Sequence, residues 1–307
     1  MWGVPRVFSV KRGIRRDGRG ISSNCSGENM KDFQLGPRYG GVRVNMRDGQ
    51  SLLATVAERL RDGEGFAVAT LNLDHLVKLR DDPAFREAYL RHEFVVADGQ
   101  PIVLASRLAG RPLGLAPGSD LVVPFARLAA ACDAPVALVG STPLALRKAA
   151  AALGRILPGI EIAEEISPPF PFDPDGPEGD ALIERLRNSR ARFVILALGA
   201  PRQERFAARC RRELPGLGLA SIGAGLDFLA GEQRRAPLLL RRLALEWLWR
   251  MLSDPRRLAA RYLRCALLGP SLLGEAARMR REDIAEAEAV AGSSGAVRPA
   301  LGVTKIS

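Results

Sequence analysis

The sequence predicts an α/β protein: a mostly parallel sheet flanked by helices, followed by a C-terminal helical appendage. Three observations carry this. Short apolar runs of strand length alternate with longer segments of helical periodicity, the βα rhythm of a parallel sheet. Several of the runs end at once in Gly or Asp-Gly, as strand-to-helix turns do. The length of 307 residues is enough to bury a sizeable core as one large domain with extensions.

In chain order, residues 1–38 are rich in Gly, Arg, Ser and Asn, lack periodicity, and are expected to form a basic disordered arm. The α/β core is expected over residues 39–232. It opens with an edge strand at Val42-Arg43-Val44 and a helix to Leu60, capped by Asp48 or Ser51, with Leu52, Leu53, Val56 and Leu60 on its apolar face. Residues 65–70 form a buried strand that leads into Leu71-Asn72-Leu73-Asp74-His75 and a helix divided at Pro83. The next strand, 94–97, ends in Asp98-Gly99, and a helix over 102–108 follows. A polar loop then ends in Gly118-Ser119-Asp120, an N-cap for a helix over 121–131.

Strand 135–139 turns at Gly140-Ser141-Thr142-Pro143 into a helix to Leu157, and strand 160–163 comes next. Pro168, Pro169, Pro171, Pro174 and Pro177 keep residues 167–179 out of helix. The length of that loop suits an active-site loop or a plain surface excursion. After a helix to Asn188, strand 193–198 turns at Gly199-Ala200-Pro201 into a helix to Leu214. A last strand, 217–222, ends in Gly223-Ala224-Gly225. Residues 233–281 shift to Arg, Leu and Trp and read as a basic amphipathic helical appendage, with helices over 238–251 and 255–268. Residues 282–307 pass from an acidic helix into a disordered Gly/Ser/Ala tail.

The net charge of +11 suggests a polyanionic partner: nucleic acid, an anionic membrane surface or a phosphorylated substrate. Cys25, Cys132, Cys210 and Cys265 are scattered, and with only His75 and His92 beside them no metal site is expected. Scattered cysteines fit a reducing compartment. No secretory leader and no run of transmembrane length is read. The expected location is therefore cytoplasmic, with any membrane contact peripheral.

Three strand-to-helix junctions carry small residues: Gly140-Ser141, Gly199-Ala200-Pro201 and Gly223-Ala224-Gly225. Each aims free backbone N–H groups outward, which suits a nucleotide diphosphate. None matches the dinucleotide fingerprint or the P-loop, and singly each is ordinary turn chemistry. Three in one α/β domain favour a nucleotide. Gln203 and Glu204 follow the second turn. Glu204 there either favours the helix dipole or lies at a site, and the Gln203 amide would reach a substrate. Arg250, Arg257 and Arg261, spaced by seven and four, share a helix face if the helices around Pro255 stay aligned. That face would meet an anionic membrane or clamp a diphosphate, or is simply a solvated basic surface. Asp98, at the carboxyl end of a strand and followed by Gly, sits where open α/β sheets keep their chemistry. It is read as a catalytic base. Spacing alone favours a turn carboxylate bonded to its own backbone.

These residues together resemble the WecG/TagA/CpsF glycosyltransferase family. The resemblance runs from about Gly40 to Leu263. It rests on Thr70-Leu71-Asn72, Ala97-Asp98-Gly99, Pro117-Gly118-Ser119-Asp120-Leu121, Leu138-Val139-Gly140, Gly199-Ala200-Pro201-Arg202-Gln203-Glu204, Gly223-Ala224-Gly225-Leu226-Asp227, Arg234-Arg235-Ala236-Pro237 and Glu246-Trp247-Leu248-Trp249-Arg250. The resemblance implies a Rossmann-like core and a helical appendage that reaches the membrane and completes the site. It implies transfer of a sugar, with inversion, from a UDP-sugar donor to a polyprenyl-diphosphate-linked acceptor in surface polysaccharide assembly, without a metal or other cofactor.

Residue by residue, the resemblance makes Asp98 the general base and reverses the plain reading of that carboxylate. It places Thr70, Asn72 and Gln203 in the sugar-nucleotide pocket and brings Arg250 and Arg257 from the appendage, with Arg261 added by helical spacing. Gly140, Gly199 and Glu204 complete the expected substrate-binding set. The sequence departs from the family at Leu115, where many members carry Arg, which leaves one substrate contact and the donor sugar open. The expected partners are thus the two substrates and, through the C-terminal helices, the inner face of the bacterial cell membrane; a homo-oligomer is allowed. A basic nucleic-acid-binding protein is the alternative from another class, disfavoured because no recognised motif is present and aromatics are few. A nucleotide-dependent oxidoreductase is disfavoured by the missing fingerprint.

Overall fold

A computed structural model describes residues 32–232, 237, 246–253 and 255–294. At its centre is a six-stranded sheet in the order β4-β3-β8-β7-β5-β6, built from β3 (Phe66–Leu71), β4 (Phe94–Ala97), β5 (Val136–Gly140), β6 (Ile162–Ile166), β7 (Phe193–Ala197) and β8 (Gly218–Ser221). Every pairing is parallel, as the βα alternation predicts. This confirms the Rossmann-like mostly parallel sheet. The chain steps from β3 outward to β4 on one side and from β5 outward to β6 on the other. The chain also steps from β7 to β8, toward β4, so its direction reverses between β7 and β5, and the carboxyl ends of these two strands flank the place where such sheets bind ligands.

Alternation along the strands explains the layers, because successive side chains point to opposite faces. Phe66 and Val68, Phe94 and Val96, Val136 and Leu138, and Phe193 and Ile195 point to one face. There they pack with α1 (Gly49–Asp62), α5 (Gly118–Ala131), α6 (Pro143–Ile156) and the short α9 (Gly225–Leu229). The other face carries two separate clusters. Ala137, Val139, Val194, Leu196 and Leu219 pack with α7 (Pro177–Asn188) and α8 (Arg202–Glu213). Ala69, Leu71, Val95 and Ala97 pack with α2 (Leu73–Asp81), α3 (Pro83–Tyr89), α4 (Gln100–Leu108) and the C-terminal helix.

That helix, α11 (Pro255–Ser294), follows α10 (Glu246–Ser253). Its buried residues Leu258, Cys265, Leu268, Leu272, Ala276 and Met279 recur every three, four or seven positions, which is one helical stripe. The stripe closes the second cluster against α2 and α4. Polar contacts pin it. Arg111 forks onto Asp283 at 2.9 and 3.0 Å, Glu275 accepts from the Gly36 amide at 3.1 Å, and the Tyr39 and Ser271 hydroxyls lie 2.8 Å apart. The C-terminal helix thus packs on the α/β layers through this stripe, and it continues unbroken through the acidic helix expected after residue 282 to Ser294.

The packed chain also begins before residue 39. β1 (Phe33–Gln34) pairs antiparallel with β2 (Arg43–Val44), and Phe33, Leu35 and Tyr39 are fully buried. Polarity concealed this segment, since its three apolar anchors are separated by Gln, Gly and Pro. The strand expected at the sheet edge therefore belongs to a separate ribbon. The edge itself is covered by Asn45, whose side chain accepts from the Val95 amide at 2.8 Å and donates to the Glu93 carbonyl at 2.7 Å, as a neighbouring strand would.

Three local expectations shift. α1 has Asp48 as its N-cap and Ser51 as the reciprocal partner, so both candidates serve in one capping box. α5 starts at Gly118 after Pro117, with no side-chain cap, so Ser119 and Asp120 lie inside its first turn. β6 spans Ile162–Ile166 instead of 160–163, at the exposed edge of the sheet, where hydropathy constrains it least.

Candidate active site

The ends of four adjacent strands, β4, β3, β8 and β7, bring the expected site residues to one edge of the sheet. Asp98 follows the last residue of β4, and its amide donates to the Leu71 carbonyl of β3 at 2.7 Å. Gly99, with φ of 134°, then turns the chain into α4, a backbone angle that favours glycine. Asn72 follows the last residue of β3 and is the N-cap of α2, its Oδ1 accepting from the His75 amide at 3.1 Å. Its Nδ2 donates to Asp98 Oδ2 at 3.4 Å. Thr70 lies beneath, opposite Val96 of β4, and is buried.

The turn after β7 carries Gly199 in the left-handed region, with φ of 72°, and leads to α8. Gln203 and Glu204, in the first turn of α8, do not project outward; both are buried. Gln203 accepts from the Gly223 amide at 3.2 Å through Oε1 and donates to Glu204 Oε1 at 2.8 Å through Nε2. One amide therefore ties the turn after β7 to the turn after β8. Glu204 Oε1 also lies 3.9 Å from His75 Nε2. This separation is within ion-pair range, but the electrostatics oppose an ion pair. Burial pushes the Glu204 carboxyl up to about 7 and the His75 imidazole down to about 3. The contact is between neutral groups until Glu204 loses its proton. Tyr89 is buried nearby, and its phenol is raised well above its usual range by burial, then by Glu204 and Asp98.

Gly140 ends β5 with φ of 113°, and a Cβ there would lie 2.4 Å from the Ala197 carbonyl oxygen, so close packing against β7 already demands glycine. Ser141 follows in the left-handed region, with φ of 52°. Its hydroxyl bonds the Asp227 carboxylate of α9, and its carbonyl accepts from Ser167 Oγ at 2.7 Å. Ser167 begins the proline-rich loop, so the ends of β5, β6 and α9 are joined as well. Asp227 stands in a quoted motif, but no spacing marks Ser141 as its partner.

Of the three arginines expected from the C-terminal helices, Arg261 on α11 contacts Asp74 of α2 at 3.1 Å. Arg234 and Arg235, and the side chains of Arg250 and Arg257, lie outside the described residues. Asp74 was not singled out by any motif, yet it lies two residues from Asn72 and also pairs with Lys78. Burial pushes its carboxyl upward, but Arg261 and Lys78 outweigh that and hold it below the usual range. Leu115, at the position where the family often carries Arg, is exposed in the loop before α5. The next residue, Ala116, bonds the Ala97 carbonyl at 2.8 Å, which keeps that loop against the end of β4.

Among the described residues no group of three His, Cys, Asp or Glu is placed to hold a metal ion, and no helix is long and apolar enough to cross a membrane. A parallel α/β sheet flanked by helices, with small-residue turns and the Asp98–Asn72 pair at its strand ends, defines a Rossmann-like protein. The chain matches the Glycosyl transferase WecG/TagA/CpsF family over residues 38–282, most of its length, and belongs to that family. It is a glycosyltransferase of cell-surface polysaccharide biosynthesis.

Proposed function

We propose that the enzyme moves a sugar, with inversion, from a UDP-sugar to a polyprenyl-diphosphate-linked saccharide, with Asp98 as general base. The observation that carries this reading is the Asp98 carboxylate at the end of β4, oriented by the Asn72 amide from β3, in a chain of glycosyltransferase ancestry. The acceptor hydroxyl attacks the anomeric carbon of the donor. A C–O bond forms there as the bond to the UDP oxygen breaks, and the hydroxyl proton passes to Asp98. Such a base contributes about 10²–10⁴-fold. UDP leaves with growing negative charge, which backbone N–H groups at the turns after β5, β7 and β8 and arginines of the C-terminal helices would offset. On this reading no metal or other cofactor is used.

The same helices suit a lipid-linked acceptor. Leu263 and Leu267 are exposed on α11, with Arg256 and Arg264 exposed beside them. Exposed leucines and arginines on one helix favour the surface of an anionic bilayer, where each Arg adds about 1 kcal/mol. This supports a peripheral enzyme on the inner face of the cell membrane. The test is a screen of UDP-sugars (glucose, glucuronate, N-acetylmannosamine and N-acetylmannosaminuronate) for UDP release with a polyprenyl-diphosphate glycan on anionic vesicles. Release with one donor that depends on the acceptor supports the reading; nucleotide release with none overturns it.

A further inference from the structure

Glu204 is an unexpected residue to find at zero exposure. A Glu in the first turn of a helix ordinarily favours the dipole from the surface, and an apolar residue here would pack without the cost of desolvating a carboxyl. Its Oε2 has no hydrogen-bond partner, and neither has the nearby Tyr89 hydroxyl. What the carboxyl does hold is Gln203, and through it the Gly223 amide. On its other side it faces His75, whose own amide is capped by Asn72, the residue bonded to Asp98.

We infer that Glu204 is a positioning residue: from beneath the strand ends it holds Gln203 on the Gly223 turn and backs the start of α2, so that one buried network sets both the turn after β8 and the Asn72–Asp98 pair. Gln203 is in this view a strut whose amide is spent on Gly223 and Glu204. The groups facing Glu204 are His75, Asp74 and Lys78 of α2, Tyr89 of α3 and Gln203 beside it, with Asp98 beyond Tyr89. Lys78 favours the ionised carboxyl and Asp74 opposes it, and burial outweighs both. Ionisation of Glu204 therefore places a second negative charge behind a site that, on the reading above, takes a diphosphate. The consequence for binding rests on that reading; the strut itself does not.

The experiment uses the full chain with Glu204→Gln and Glu204→Ala. Backbone amide exchange at Gly223 and His75 is followed without ligand, and UDP affinity is followed across neutral pH. Removing the carboxyl in Glu204→Ala leaves Gln203 unanchored and is expected to speed exchange at Gly223 by about ten-fold while strand β7 stays protected. Glu204→Gln keeps an acceptor for Gln203 and is expected to exchange like the wild type. Wild-type UDP affinity is expected to fall as pH rises through about 7, and Glu204→Gln is expected to lack that component; the titration of UDP itself is common to both proteins. Unchanged Gly223 exchange in Glu204→Ala overturns the inference. If Glu204→Ala does not fold, Gln203→Ala removes the same acceptor from Gly223, and unchanged Gly223 exchange in that variant overturns the inference. Full turnover by Asp98→Asn removes the base assignment but leaves the exchange result standing, so the two failures are distinguishable.

Discussion

Asn72 Nδ2 lies 3.4 Å from Asp98 Oδ2 while Asn72 Oδ1 accepts from the His75 amide. One amide side chain thus caps a helix at the end of β3 and orients the carboxylate at the end of β4. The two strands are neighbours in parallel register, with Leu71 opposite Ala97, so the residues that follow them meet. Helix capping and site geometry are coupled at a single residue.

Replacing Asp98 by Asn removes the proton acceptor and keeps the shape. Turnover should fall by about 10²–10⁴-fold, with UDP affinity close to wild type by calorimetry. Wild-type turnover in this variant would sink the base assignment.

Asn72→Ala should do two separable things. Losing the cap costs about 1 kcal/mol of stability, readable in urea unfolding. Losing the orienting amide should lower kcat more than it raises KM. A Ser at the same place restores the cap without reaching Asp98 in the same way, so recovery of stability without recovery of kcat is the expected outcome.

Glu204 makes a pH prediction whose sign is fixed. Its carboxyl is raised from 4.5 to about 7 in the folded protein, so the folded state holds the proton more tightly than the unfolded state. The group costs nothing below about pH 4.5, and stability falls as pH rises from there to about 7. Glu204→Gln should therefore be favoured over wild type above pH 7 by up to about 3 kcal/mol, and much less at pH 5. Equal differences at both values would contradict it. His75 and His92 act in the opposite sense. Burial lowers them from 6.5 to about 3 and about 4, so their contribution is present above about 6.5 and is lost as pH falls toward those values.

The C-terminal helix should behave as core. Leu272 is 1% exposed in the cluster shared with α2 and α4, and Leu272→Ala should cost about 2–5 kcal/mol. Arg111→Ala should cost about 1.5–3 kcal/mol by removing the charged hydrogen bonds from Arg111 to Asp283. Deleting the chain from about Arg234 would uncover this cluster, so loss of activity in such a truncation reports unfolding as readily as a missing site. Charge changes at Arg250, Arg257 and Arg261 in the full chain are the cleaner probe.

Asp74 and Arg261 provide a further test. A double-mutant cycle on Asp74→Asn and Arg261→Gln should show coupling of about 0.5–3 kcal/mol in stability, since the side chains are in contact. Additive effects would mean that the contact does not hold α11 on α2.

Most of the sheet was legible in the residues, and so were the strand ends that carry the candidate residues. The strands were readable as short apolar runs because parallel strands are buried on both faces, and Asp98 and Asn72 stood at ends of such runs, with Gln203 beyond the turn after another. β1 was not readable, because two residues and a proline-fixed turn leave no periodicity. The unbroken length of α11 was not readable either, because Gly269-Pro270 reads as the end of a helix, and Pro270 lies inside this one.

By itself the sequence determined the alternation of strands and helices, the turns that end each strand, and the motifs that place the chain among the WecG/TagA/CpsF glycosyltransferases. Those are local properties: hydrophobic period, backbone angles that favour glycine, and residue order. Only the tertiary structure decided that Gln203 and Glu204 face inward, that Arg261 meets Asp74, and that the last long helix closes the core. Each depends on strands and helices brought together from distant parts of the chain. In a parallel sheet neighbours are set by crossovers, and no spacing along the sequence encodes which strand ends will share an edge.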